Sequence, residues 1–197
     1  MAGADIARLS PPELAGMRAV LPQASALAFP FTVHEVVRLG LQSGHSTAPS
    51  VEAALAAVDL PGFGGRFFQE LSGGEQQRVQ LARVLAQVWM PVVERRARWL
   101  FLDEPVASLD IGHQLTVMRL ARDYARRGGG VIAVMHDLNL TAMFADRVVL
   151  LHQGRVLGAG PPAEVIRDDL LAAAYGCGLR VGVAPGEGPF VLPQSAL

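Results

Sequence analysis

The chain has 197 residues, 51% of them hydrophobic, a formal net charge of -1 and a single cysteine. That length predicts one domain with ample apolar material for a core, and the near-neutral charge excludes the electrostatic footprint of a nucleic-acid binder. Cys177 alone excludes a disulfide framework, no apolar run approaches the ~18 residues of a membrane span, and the opening MAGADIARLSPPEL reads as no secretory signal.

In chain order, Ser10-Pro11-Pro12-Glu13 predicts a helix start, with a hydroxyl cap, prolines where no N–H is missed and a carboxylate one turn on. Val20-Leu21-Pro22-Gln23 reads as a short strand running into a loop. Thr32-Val33-His34-Glu35 is a second capping box, opening a helix that Gly40 is expected to close. Residues 42–49 read as a loop, and SVEAALAAVDL from Ser50 as an Ala-rich helix. Gly62, Gly64 and Gly65 then interrupt the chain.

The most informative stretch is LSGGEQQRVQLARVLAQVW, residues 71–89. Val79, Leu81, Ala82, Leu85 and Trp89 recur at helical spacing, so everything after the glycine pair is expected to be an amphipathic helix. MPVVERRAR reads as a polar connection. Residues 99–102 and 131–135 are short apolar runs, expected to be buried parallel strands, ending on Asp103-Glu104 and on His136-Asp137. Helices are expected over 111–127 and 139–145 and from Pro161-Pro162-Ala163-Glu164 onward. A Gln153-Gly154 turn joins two apolar stretches into a hairpin. The last twenty residues read as a short strand pair or a loose tail. Strands alternating with helices predict an α/β layered domain with a mostly parallel sheet.

Such sheets bind ligands at the carboxyl ends of their strands. An apolar strand ending Asp-Glu suits nucleotide hydrolysis: the first carboxylate holds Mg²⁺ and the second polarises the attacking water. Taken alone, the pair fits a solvated strand end better. Ser72-Gly73-Gly74-Glu75 adds two glycines that allow close backbone approach and a helix N-terminus that offers N–H groups and a positive dipole end to phosphate. Ser72 can add a hydroxyl donor.

In this order and spacing, the motifs resemble those of the ABC ATPases. Residues 71–78 are similar to the family's signature motif, Phe101-Leu102-Asp103-Glu104-Pro105 to its Walker B strand with the adjoining glutamate, and Ser108-Leu109-Asp110 to its D-loop. His136 resembles the switch histidine and Gln23 the Q-loop glutamine. LPQASALAFPFTVHEVVRLG, the polar insert after LARVLAQVW, and HDLNLTAMFADRVVLLHQGRVLGAGPPAEVI together resemble bacterial hemin-import ATPase subunits. Siderophore and cobalamin importers have similar ATPases.

The resemblance implies a P-loop NTPase-like α/β fold, N-terminally incomplete, with a helical signature subdomain over about 31–89, a Walker B and switch-histidine core over 98–160 and a C-terminal segment over 161–197. It implies ATP and Mg²⁺ as cofactors, with Glu104 and His136 catalytic. Gln23, Ser72, Gly73, Gly74, Glu75, Asp103 and Asp110 would bind ATP, and Asp103 and Gln23 would serve Mg²⁺. The implied partners are a second ATP-binding subunit in a homodimer, membrane permease subunits and, indirectly, a periplasmic hemin-binding protein, with no nucleic acid. The implied place is the cytoplasmic face of the bacterial inner membrane, as a peripheral subunit, and residues 27–31 would meet the permease or pack in the core.

One family element is missing from these residues. No GxxxxGK[ST] pattern precedes Gln23, and because all 17 basic residues are arginine there is no lysine to supply a P-loop anywhere in the 197. A P-loop gives the phosphates several charge-assisted hydrogen bonds, each worth roughly 1.5–3 kcal/mol. The expectation is that this chain alone neither binds ATP tightly nor hydrolyses it, and that an apolar sheet surface is left open to water. The expected reason is that these residues are the C-terminal part of a longer ATPase. The alternatives are a non-catalytic subunit lending its signature motif to a partner, and a soluble ABC ATPase acting on DNA or ribosomes, which the lack of a basic stripe disfavours.

Among the remaining residues, His34, His45, His113 and His152 read as surface or capping histidines in preference to heme ligands. Asp110 doubles as a helix N-cap before Ile111. Arg95-Arg96 and Arg126-Arg127 read as solvated.

Overall fold

The computed structural model describes residues 5–23, 29–41 and 48–196. It divides into two compact units, 1–135 and 136–197. The expected loop at 42–49 and the residues directly after Gln23 lie largely outside the described residues, as does His45.

In the first unit, helix α1 (Pro11–Met17) leads into strand β1 (Arg18–Leu21). The Glu13 carboxylate accepts from the Ser10 N–H at 2.8 Å and from its hydroxyl at 2.6 Å, so this start forms as its sequence predicts. Helices α2 (Val33–Leu41), α3 (Val51–Ala57) and α4 (Gly73–Gln87) follow. Then come strands β2 (Val92–Val93), β3 (Arg96–Ala97) and β4 (Trp99–Asp103), helix α5 (Ile111–Arg126) and strand β5 (Gly130–Val134).

β1, β4 and β5 form a parallel sheet in the order β1-β4-β5, with Leu21 beside Leu102 and Asp103 beside Val134. Side chains alternate across a strand. Ala19, Leu21, Leu100 and Leu102 are buried on one face, where α4 packs on β1, while α5 packs on β5. On the other face Val20, Ile132 and Val134 are 47%, 49% and 52% exposed. Residues 99–102 and 131–135 are thus not strands buried on both faces. β4 is covered on one side only, and no residue of β5 is fully buried.

Two local expectations change. Gly40 does not close α2, which runs through it to Leu41. A methyl group there would overlap the Arg83 carbonyl of α4, so Gly40 is the point of close approach between two helices. MPVVERRAR is no simple connection but the hairpin β2–β3, antiparallel with Val93 opposite Arg96. Glu94 and Arg95 both take positive φ, 50° and 63°, as a two-residue primed turn requires. Both, with Arg96, are exposed.

Longer-range hydrogen bonds from α4 fix its neighbours. Gln87 donates Nε2 to the Ala15 and Arg18 carbonyls at 2.9 and 3.0 Å, holding the entry into β1. Arg78, buried, donates Nη1 to the Val58 and Asp59 carbonyls at the end of α3. These are carbonyls that a helix C-terminus leaves without intrahelical partners.

The second unit contains helix α6 (Leu138–Phe144), strands β6 (Val148–His152) and β7 (Arg155–Gly160), and helices α7 (Pro162–Val165) and α8 (Asp168–Tyr175). Asp137 caps α6 by accepting the Leu140 N–H at 2.8 Å. β6 and β7 pair antiparallel around Gln153-Gly154, both at positive φ, as their sequence predicts. After α8 no strand pair forms among the described residues. The chain there is tied by Asp168, which accepts the Val181 N–H at 2.8 Å, and by Gln194, which donates to Asn139 Oδ1 at 3.2 Å. Among the described residues no helix is long and apolar enough to cross a membrane.

Candidate functional site

The sequence places its candidate residues at two positions in the first unit. One is the carboxyl end of the parallel sheet. Asp103 is the last residue of β4, half-buried, with Glu104 directly after it. Parallel pairing of β1 with β4 brings Gln23, exposed two residues beyond Leu21, to the same end. Glu104 has φ 47°, a left-handed backbone that a non-glycine residue adopts at a cost of ~1–3 kcal/mol. Its N–H donates to the Val134 carbonyl at 3.1 Å, so β5 holds it in that conformation.

The other position is an open cleft of about 450 Å³ at the start of α4, where Ser72, Gly73, Gly74 and Glu75 face Ser108, Asp110 and His113. The glycines do not precede the helix, as the sequence suggests; they are its first two residues, and Ser72 is its N-cap. Ser72 Oγ donates to Glu75 Oε2 at 2.7 Å and accepts the Glu75 N–H at 3.3 Å, while the Ser72 N–H donates to the same carboxylate at 2.8 Å. This reciprocal box satisfies the third turn position and leaves the Gly73 and Gly74 N–H groups without an intrahelical acceptor. The Ser72 hydroxyl proton is therefore committed to Glu75. A phosphate here would have to take it from that carboxylate.

The two glycines differ. A methyl group on Gly73 meets nothing within 4 Å, whereas one on Gly74 would stand 3.0 Å from the Ser108 carbonyl and 3.3 Å from Leu109 Cδ2. Gly74 is small because the helix start is pressed on the 108–110 turn, whereas Gly73 borders open space and nothing within the chain requires it to be small. Gly73→Ala is expected to raise stability by about 0.5 kcal/mol, the ordinary helix preference. Gly74→Ala is expected to lower it by about 1 kcal/mol through overpacking against backbone. Paired chemical denaturation curves read both signs.

Asp110 caps α5, accepting the His113 N–H at 2.9 Å, and its second oxygen lies 2.8 Å from His113 Nδ1. His113 Nε2 is 3.7 Å from Asp59 Oδ2. The capping role read from the sequence is therefore present. The Asp110 carboxyl is held below its ordinary value, mostly by the His113 backbone N–H, and Glu75 by the Ser72 hydroxyl and N–H. Because both are lowered, these caps are at full strength above the ordinary carboxylate range and loosen as pH falls through the lowered values.

Ser72, Gly73, Gly74, Glu75 and Asp110 thus share one cleft, and Gln23, Asp103 and Glu104 share one sheet end. His136, exposed, is the first residue of the second unit. Gln77, whose side chain joins the two groups, carries no motif in the sequence, while His113 takes the capping position its sequence suggests. Among the described residues no three His, Cys, Asp or Glu side chains come together as a metal site.

A parallel sheet ending in Asp-Glu, beside a Ser-Gly-Gly helix start facing a Ser-Leu-Asp turn, defines the class. The family model described as ABC transporter matches residues 1–107. The chain belongs to this family and has its α/β ATPase fold. More particularly, it is 66% identical to the hemin import ATP-binding protein HmuV of Jannaschia sp. (strain CCS1), over 98% of this chain and 73% of that protein. It is 60% identical to the HmuV protein of Mesorhizobium japonicum, over 99% of this chain and 77% of that one. The ADP conformation of MJ1267, an ATP-binding cassette of an ABC transporter, superposes with a TM-score of 0.67 at 20% identity, covering 87% of this chain and 73% of that one, a likeness of fold.

Proposed function

We propose that the chain is the ATPase subunit of a bacterial hemin importer, working at the cytoplasmic face of the inner membrane in a dimer with a second ATP-binding subunit. The observation that carries this reading is the cleft in which Ser72, Gly73, Gly74 and Asp110 meet. It suits phosphate: free N–H groups at the start of a 15-residue helix, a hydroxyl and open space at Gly73. The residues at the sheet end lie apart from it, which accords with two half-sites, each completed by the opposite subunit.

In this reading ATP with Mg²⁺ supplies the phosphoanhydride bond whose hydrolysis drives transport. Asp103 and Gln23 hold the metal, and Glu104 accepts a proton from the attacking water. His136 donates a hydrogen bond toward phosphate. Ser72, Gly73 and Gly74 close on the nucleotide held by the other subunit. The hemin cargo rests on the two HmuV relatives, and hemin would reach the permease subunits from a periplasmic binding protein without touching this chain.

A contact with the permease is supported by exposed aromatic surface. Phe29 is 69% and Phe67 44% exposed. Phe29 stacks edge-on with Phe31 at 6.5 Å, and Gln69 Nε2 donates to its carbonyl at 2.6 Å. Leu27 and Ala28 of the expected contact lie outside the described residues.

A second reading is a subunit that lends its signature cleft to a partner's ATP, and the Ser72–Gly74 cleft suits that role as well. Reconstitution with the permease tests both. With an ATP-binding partner that supplies the P-loop these residues lack, ATP-dependent hemin uptake is the expected result. Uptake of a ferric siderophore or cobalamin without hemin would overturn the cargo, and co-purification with ribosomes or DNA in place of a permease would overturn the transport role.

A further inference from the structure

The side chain of Gln77 joins the two halves of the candidate site within one chain. Gln77, half-buried on the second turn of α4, donates Nε2 to the Glu104 carbonyl at 2.9 Å and accepts the Ser108 N–H on Oε1 at 3.3 Å. One amide group thereby bridges the helix that begins at the signature cleft, the residue after β4 and the turn that leads into Asp110. No smaller or singly functional side chain makes both bonds, since one needs a donor and the other an acceptor.

What Gln77 grips matters. Glu104 sits at φ 47°, a conformation that persists only where its surroundings over-determine it. Hydrogen bonds on both sides do so: its N–H donates to the Val134 carbonyl of β5, and its carbonyl accepts from Gln77 of α4 and from the Ala107 N–H at 3.3 Å. The backbone direction at Glu104, and with it the aim of its carboxylate, is set by the sheet on one side and by α4 on the other. Gly74 presses the same helix onto the Ser108 carbonyl, so a shift of the α4 start cannot leave the 104–108 segment in place.

We propose that Gln77 is a positioning residue, coupling whatever occupies the Ser72–Gly74 cleft to the aim of Glu104 in the same chain. This rests on the reading of Glu104 as the group that activates water. It gives each subunit of a dimer a path by which ATP closing on its signature cleft primes its own hydrolytic carboxylate.

Amide hydrogen exchange on the full chain, with Gln77→Ala, Gln77→Glu and Glu104→Gln, tests the bridge. Gln77→Ala is expected to speed exchange at the Ser108 N–H about five- to tenfold, the loss of a net hydrogen bond, and by a smaller factor at the Glu104 N–H, whose own bond to the Val134 carbonyl remains, with the rest of α4 unchanged. Gln77→Glu, which can accept but not donate, is expected to restore Ser108 and leave Glu104 fast. Glu104→Gln is expected to exchange as the parent does, because both bonds run through the backbone. Parent-like exchange in Gln77→Ala would overturn the proposal.

In the reconstituted transporter Gln77→Ala should lower kcat with KM for ATP unchanged. An unchanged kcat, where Glu104→Gln abolishes turnover, would overturn the coupling alone. Full turnover in Glu104→Gln would overturn the reading beneath it, while the exchange result still decides the bridge.

Discussion

Gly40→Ala is expected to destabilise the first unit by about 2 kcal/mol or more, read as a fall in the denaturant midpoint at unchanged slope. Helix propensity alone predicts the opposite sign, since alanine gains ~0.5–1 kcal/mol over glycine inside a helix. Geometry reverses it. The added methyl would overlap the Arg83 carbonyl, a backbone atom that cannot swing aside as a side-chain tip could. On either side of the contact the packing is dense: Val33, Val36 and Val37 of α2 and Val79, Ala82 and Val84 of α4 have no measurable exposure. Relief would require the two helices to separate, opening space along the whole seam, and a core at native density has no slack for that. Gly73→Ala, with nothing near its added methyl, is the matched control and is expected to shift the other way. A gain in both variants would mean that α2 and α4 are not held at this distance.

Gly40 also shows why part of this fold is legible in sequence and part is not. From the sequence a glycine eight residues into a helix looks like a terminator, because its local preferences are visible and Arg83 is not. The capping boxes at Ser10 and Thr32 are legible because each closes within four residues, and the structure contains the Ser10–Glu13 and Thr32–Glu35 bonds. The β2–β3 hairpin escaped notice because its turn is Glu94-Arg95, without the glycine or asparagine that normally marks two positive φ angles. The same division runs through the candidate site. Its contiguous pieces, Ser72 to Glu75, Asp103-Glu104 and Ser108 to Asp110, stand out as motifs. Gln77 does not, because its partners lie 27 and 31 positions away and only the packed structure brings them together.

The largest effect on function is expected from Glu104→Gln: in the chain assembled with its partner subunit and permease, ATP turnover should fall at least ~100-fold while nucleotide binding persists. Removing a general base from a proton transfer costs ~10²–10⁴-fold in rate. Glutamine keeps the size of the side chain and leaves the bonds of the 104 backbone to Val134 and Gln77 in place, so the change is confined to the proton acceptor. Asp103→Asn should divide the steps differently. In the proposed arrangement it would leave Glu104 able to accept a proton but remove a carboxylate from Mg²⁺, so its loss should appear as weaker Mg-ATP binding that added Mg²⁺ partly restores. Measuring kcat and nucleotide affinity for both variants separates water activation from metal binding at two adjacent residues. Parent-like turnover in Glu104→Gln would remove Glu104 from the chemistry. The same pair decides what the absence of lysine means: turnover by the purified chain alone, lost in Glu104→Gln, would show that its arginines and backbone N–H groups suffice to hold ATP. A silent chain would show that these 197 residues need a phosphate-binding lysine from outside them.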